Sequence, residues 1–136
     1  MKQYQVAAAV IRRKNRILLC GRKTDAELPD CYEFPGGKAE AGESLSDCLR
    51  REMREELGTD VYVLDHLGEK TVALGDRMYH LHFLRAVLRS NAPEPQPREG
   101  QKMFWAETAQ LRQIRMLPGD TAVAARLADA EKPEKF

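Results

Sequence analysis

The sequence predicts an α/β fold in which helices pack on a mixed sheet. Three observations carry that reading. Two apolar runs near the N-terminus, VAAAVI and ILLC, flank a polar turn. An amphipathic segment bracketed by cap residues follows them, and an alanine-rich segment stands near the C-terminus. At 136 residues, the chain is expected to form one domain, 1–136, around a single core.

Residues 4–11, YQVAAAVI, and 16–22, RILLCGR, read as strands joined by the turn-like RRKN, an early hairpin. TDAELPDCYEFPGG is loop-rich, with a short extended YEF before its Pro-Gly-Gly turn. A helix is predicted from Leu45 to about Leu57, with Ser44 as N-cap, Asp47 three residues on as a weaker capping-box partner, and Gly58 closing the C-terminus. VYVLDHLGEKTVAL and MYHLHFLRAVLR carry β-branched and aromatic residues in alternation and read as strands, the second expected to be the longest. APEPQPREG has the prolines of an exposed connector, and KMFWAE reads as a short strand. In LPGDTAVAARLADAEK, Asp120 is placed to cap a last helix.

Charge narrows the function classes. Lys and Arg number 22 against 21 Asp and Glu, net +1, so no electrostatic field draws the chain to duplex nucleic acid or a membrane surface. The longest apolar run, VAAAVI, is far short of the roughly 20 residues of a membrane helix, and a cytoplasmic location is expected. Cys20, Cys31 and Cys48 are odd in number and lack zinc-ligand spacing, so reduced thiols are expected.

The helix itself poses a conflict. At about 100° per residue, Leu45, Leu49, Met53 and Leu57 form one apolar stripe, Arg50, Arg51 and Arg54 fall opposite it, and Glu52, Glu55 and Glu56 lie along its edge. Carboxylates near a helix C-terminus oppose the macrodipole at about 0.3–1 kcal/mol each, and like charges three or four apart add a few tenths more. Surface pairing of Asp47 with Arg51, and of Arg51 with Glu55, would make this an ordinary solvated face. A divalent cation resolves the conflict differently, because magnesium takes hard oxygen ligands and shares carboxylates with substrate phosphates. The preceding Pro-Gly-Gly turn lets backbone approach a ligand closely.

This spacing resembles the signature of the Nudix hydrolases, G-x5-E-x7-R-E-U-x-E-E-x-G-U, with U a bulky aliphatic. Gly37, Glu43, Arg51, Glu52, Met53, Glu55, Glu56 and Gly58 match it, and Thr59 stands in the final aliphatic position. The resemblance implies a Nudix-type α/β/α sandwich and hydrolysis of a nucleoside diphosphate linked to a further group, with Mg2+, or Mn2+ as a substitute. It further implies that Glu52, Glu55 and Glu56 ligate the metal directly or through water, that the Gly36 carbonyl joins them, and that Glu43 pairs with Arg51 to brace the loop. Either Glu52 or Glu55 would be the general base. EFPGGK, Asp76-Arg77 and EGQ before Trp105 extend the resemblance to the MutT-like branch over nearly the whole chain. That comparison adds Glu99 as a metal-site carboxylate and Lys38 on the phosphates. It also sets Arg22, Phe34 and Arg77 at the nucleotide and Asp120 on the base edge. Glu27 falls loosely on a loop position where some relatives carry a basic or imidazole group.

The expected substrate is an oxidised or otherwise noncanonical deoxynucleoside triphosphate such as 8-oxo-dGTP, cleaved to monophosphate and pyrophosphate in nucleotide-pool sanitation. The alternative with the same chemistry is CTP or dCTP, suggested by HLH and LPGD. An alternative of another class is a nucleotide-sensing module without catalysis, against which the retained glutamates argue. His80 and His82 share a strand face but, without a third ligand, read as packing or surface residues. Either a monomer or a homodimer suits a domain of this size.

Overall fold

A computed structural model describes residues 2–22 and 28–130. The strands are β1 (Lys2–Arg13), β2 (Arg16–Gly21), β3 (Tyr32–Glu33), β4 (Gly36–Lys38), β5 (Val61–Leu74), β6 (Arg77–Leu88) and β7 (Met103–Glu107). The α-helices are α1 (Leu45–Leu57) and α2 (Thr121–Ala130), and short 3-10 turns cover Thr108–Gln113 and Pro118–Asp120. The sheet runs β3-β2-β1-β6-β5, with β4 added to β1 and β7 to β2. It is mixed, because β1 pairs parallel with β6 while its pairings with β2 and β4 are antiparallel. The expected hairpin of β1 and β2 forms, joined by the pairs Arg12 with Ile17 and Arg13 with Arg16.

The apolar run in β1 is continuous because both faces of that strand are covered. Ala7, Ala9 and Ile11 meet Leu49, Met53 and Leu57 of α1, whereas Ala8 and Val10 meet Phe34, Phe83, Val123 and Ala124 on the α2 side. The sheet thus divides the core into two layers, the α/β/α sandwich. Complete burial of Leu49, Met53 and Leu57 contributes about 1.5–3 kcal/mol each to holding α1 in place.

Both ends of α1 follow the local code. Ser44 Oγ accepts the Asp47 N–H at 3.0 Å, and Gly58 adopts φ 61° while Thr59 N–H reaches the Met53 carbonyl. Thr59 is buried, and its hydroxyl donates to the Pro93 carbonyl at 2.6 Å, which satisfies the one polar group at an otherwise aliphatic position. The proline-rich connector is mostly exposed, yet it docks on the end of α1. Gln96 N–H donates to Leu57 O and Arg98 N–H to Glu56 O, filling carbonyls that a helix end leaves open.

Two expectations are corrected. The longest strand is β5, not β6, because β5 carries two register irregularities, between Val63 and His66 and between His66 and Gly68, that let it follow its partner further. Asp120 does not cap the last helix through its side chain. It closes the Pro118–Asp120 turn, and its Oδ2 accepts the Phe34 N–H across the fold at 3.0 Å.

Candidate active site

Where β4, α1 and the connector before β7 meet, a cleft of about 360 Å³ is lined by Glu33, Gly36, Gly37, Glu56, Glu99 and Gln101, with Cys20 and Arg22 at its edge. Each element delivers its residue for a local reason. β4 holds Gly36 and Gly37 against β1 in register with Ala8 and Ala7. A β-carbon on Gly36 would collide with the Ala7 carbonyl oxygen, and one on Gly37 would fall 2.5 Å from the Glu52 carboxyl carbon. Only glycine fits at position 36, where the obstacle is backbone, whereas a methyl at position 37 would displace the Glu52 carboxyl. The connector's hydrogen bonds to Leu57 and Glu56 carry Glu99 into the cleft, where its backbone N–H donates to Gln101 Oε1 at 2.9 Å.

Arg51 is the hub of the loop, not a solvent-side residue as the helical wheel suggested. Its guanidinium donates to both oxygens of Glu43 at 2.8 and 3.0 Å, to Glu52 at 2.9 Å, to Glu55 at 3.3 Å and to the Lys38 carbonyl at 3.0 Å. The wheel failed because a long arginine bends back along the helix toward opposite charge. The Glu43 pairing expected from the resemblance is present, while Arg51 spends its donors on these partners and not on Asp47. Hydrogen bonds from Arg51 and the Glu40 N–H hold the Glu43 carboxyl down at about 2.

The three helix glutamates differ sharply. The Glu52 side chain is 13% exposed, the Glu55 side chain 60%, and Glu56 is half-buried. Glu55 therefore faces water beside Arg51, contrary to the expectation that all three border the core. Burial first, then a hydrogen bond with Glu52 and the charges of Glu52, Glu99 and Glu33, push Glu56 up to about 9. Cys20, buried at the same cleft, is pushed up to about 12 and is chemically quiet.

The remaining predicted residues divide into two further groups. Phe34 is buried and packs edge-on against Phe83 at 6.0 Å, so its ring is core and its contribution is the backbone N–H held by Asp120. Burial raises Asp120 to about 7. The Lys38 ammonium stands over the Tyr4 ring at 4.6 Å and 5.6 Å from the Tyr79 ring, and Lys38 is not among the residues that line the cleft. Arg77 joins that patch through a hydrogen bond with Tyr79, which stacks on Tyr4 at 5.3 Å. Arg22 lies at the cleft edge, paired with Glu33 at 3.2 Å. Glu27 lies outside the described residues.

Glu33 and Gln101 are cleft residues that sequence reasoning missed. Burial raises the Glu33 carboxyl against the pull of Arg22. The available signal was an acid inside a short apolar strand directly before Pro-Gly-Gly, a residue that needs a cationic partner if it is buried.

Chemically, the cleft sets oxygen donors from Glu56 and Glu99 beside glycine backbone, with Glu52 bonded to Glu56. A set of oxygen donors of this kind fits a hard divalent cation. Comparison with known proteins agrees with the architecture. The NUDIX domain model matches residues 1–127. The chain is 32% identical over 120 residues to the CTP pyrophosphohydrolase of Escherichia coli, covering 88% of this chain and 87% of that protein. It is 33% identical over 134 residues to the putative 8-oxo-dGTP diphosphatase 2 of Mycobacterium tuberculosis, covering 94% and 89%. The solution structure of the Escherichia coli ORF135 protein superposes with a TM-score of 0.82 at 30% identity, covering 98% of this chain and 96% of that one.

Proposed function

The chain belongs to the NUDIX domain family, and on that premise we propose that it is a Mg2+-dependent nucleoside triphosphate diphosphatase acting in the cytoplasmic nucleotide pool. Its preferred substrate on this reading is an oxidised or noncanonical deoxynucleoside triphosphate such as 8-oxo-dGTP, cleaved to monophosphate and pyrophosphate. The observation that supports the reading is the meeting of Glu56 and Glu99 in one glycine-walled cleft, with Glu52 hydrogen-bonded to Glu56 and lying against Gly37, and with Glu56 pushed up to about 9 first by burial and then by its acidic neighbours.

Glu52, Glu56, Glu99 and the Gly36 carbonyl would hold the ion, with Glu55 reaching it through water. An ion held there would supply charge neutralisation of the pyrophosphate oxygens and activation of a water nucleophile. The protein's own residues set the stage. Arg51 fixes Glu43 and Glu52, and glycine at position 37 lets the Glu52 carboxyl lie directly against the β4 backbone. Glu52 or Glu55 takes the water's proton. Lys38 and Arg77, at the tyrosine patch of β1 and β6, are assigned to the phosphates and the nucleotide. Arg22 and Asp120 are assigned to nucleotide and base contacts.

A second reading keeps the chemistry and exchanges the base for cytosine, and it is favoured by the likeness to a CTP pyrophosphohydrolase. Asp120 serves either base. Near pH 7 its carboxyl populates both an ionised form, which accepts from the cytosine amino group, and a neutral form, which donates to an oxopurine.

The test is pyrophosphate release with Mg2+ on 8-oxo-dGTP, dGTP, dCTP, CTP and 5-methyl-dCTP, with Glu56→Gln as control. Highest kcat/KM on the oxidised purine supports the first reading and highest on a cytosine nucleotide the second. Binding without turnover across the panel would point to the sensing module.

A further inference from the structure

On the α1 face of the sheet, three metal-competent side chains of β5 and β6 converge away from the glutamate cleft. His82 stands directly across from Glu69 in the antiparallel register. Residues three apart on a regular strand point to opposite faces, so His66 and Glu69 should be separated by the sheet. The register shift between His66 and Gly68 inserts one residue and returns His66 to the face of Glu69 and His82. Leu67, the neighbour inside the irregularity, packs into the opposite core layer, as that change of phase requires.

The donor atoms are already near coordination spacing. His66 Nε2 lies 3.3 Å from His82 Nδ1, and His82 Nδ1 lies 3.4 Å from Glu69 Oε2. Bonds of about 2.0–2.1 Å in a tetrahedron place ligand atoms roughly 3.3–3.4 Å apart, so two edges match. All three donor atoms lie within 4.8 Å of one another, and the exposed Glu69 can swing to close the third edge. His82 Nε2 is 2.6 Å from Gln5 Oε1, an acceptor that keeps the proton on Nε2 and turns the Nδ1 lone pair to the cluster. His80 differs, since both of its nitrogens are engaged, by Thr71 and Gln3.

We propose that His66, Glu69 and His82 form a three-ligand site for a borderline transition ion, Zn2+ or its spectroscopic substitute Co2+, with the fourth position open to solvent or ligand. His82 also lines a second cleft, of about 610 Å³, with Gln5, Glu43 and Ser44, so an added ligand there meets the outer side of the loop before α1. The donor set separates this site from the first one. Two imidazoles and one carboxylate suit zinc or cobalt, while an all-oxygen cluster suits magnesium. Only His82 of the HLH pattern takes part, and the other two ligands, His66 and Glu69, come from β5 and share its face only through the irregular register.

The experiment is titration of the full chain with CoCl2 in excess Mg2+, followed by visible absorption, then displacement by Zn2+. One equivalent of Co2+ with tetrahedral ligand-field bands is expected, bleached by Zn2+. His66→Ala, at an exposed position, should weaken Co2+ binding about tenfold or more, Glu69→Gln should weaken it by a smaller factor, and Glu56→Gln should leave it unchanged. Circular dichroism of each variant checks that the fold persists. Absence of bands in the wild-type chain, bands that survive His66→Ala, or bands lost in Glu56→Gln would each overturn the assignment.

Discussion

Replacing Glu56 by glutamine should make the metal-free protein more stable while abolishing turnover. In the folded chain Glu56 titrates at about 9, whereas unfolded it returns to its ordinary value of 4.5. At pH 7 the folded group is therefore protonated and the unfolded one ionised. A folded pKa raised above the unfolded value in an acid means that the native state binds more protons between the two values, so stability falls as pH rises from about 4.5 to about 9. At ~1.36 kcal/mol per pH unit, the penalty at pH 7 approaches about 3 kcal/mol, and solvent screening at this partly exposed carboxyl reduces it to about 1–2 kcal/mol. Glutamine keeps the shape and loses the titration, so Glu56→Gln should gain that amount and flatten the slope. Urea unfolding of both proteins at pH 5.5, 7 and 8.5, in chelator, reads the difference directly. Saturating Mg2+ should then reverse the order by stabilising wild type more than the variant. Equal pH slopes for the two metal-free proteins would refute the electrostatic argument, and equal Mg2+ stabilisation would remove Glu56 from the metal site.

Other substitutions probe the surrounding frame. Gly37→Ala places a methyl against the Glu52 carboxyl and should lower kcat tenfold or more with only a small change in Tm, measured on the best substrate of the nucleotide panel. Arg51→Ala leaves Glu43 and Glu52 without their shared partner and should cost about 2–4 kcal/mol in urea unfolding. Asp120→Asn should change the ratio of kcat/KM between purine and cytosine nucleotides severalfold, and Asp120→Ala should additionally lose about 1–3 kcal/mol by stranding the Phe34 N–H. Cys20, Cys31 and Cys48 are buried free thiols, so Ellman's reagent should label the native chain slowly and the urea-unfolded chain at once.

The features legible in sequence are those decided within a few residues. Ser44 and Gly58 mark the ends of α1 because a side-chain acceptor and a left-handed residue act on their own helix. The strand of β1 is legible in YQVAAAVI from its own apolar run, although its burial on both faces depends on α1 and α2. Features decided across the fold were not. Asp120 reads as a cap until the segment after β3 brings the Phe34 N–H to it, and Phe34 reads as a nucleotide contact until its ring is seen buried against Phe83. The place of Lys38 depends on the phase of a three-residue strand, too short to fix from alternation. The irregular register of β5 breaks the period of two on which strand reading rests, so the meeting of His66, Glu69 and His82 has no signature in spacing.

The glutamate-rich helix end shows how far a broken local rule can be followed. The sequence marks an acidic cluster as anomalous without distinguishing its members, and tertiary partners then settle most of the conflict. Arg51 is bidentate to Glu43 and bridges to Glu52, Glu55 faces water, and the connector's N–H groups occupy the carbonyls of Glu56 and Leu57. Each partner removes part of the repulsion that the helix dipole and neighbouring carboxylates create. Glu56 is left half-buried beside Glu52, Glu33 and Glu99, at the wall of the cleft, while the Arg51 guanidinium donates to Glu43, Glu52, Glu55 and the Lys38 carbonyl. The charge conflict is thereby concentrated on one carboxyl, which is why the same substitution serves as the test of stability and of metal binding.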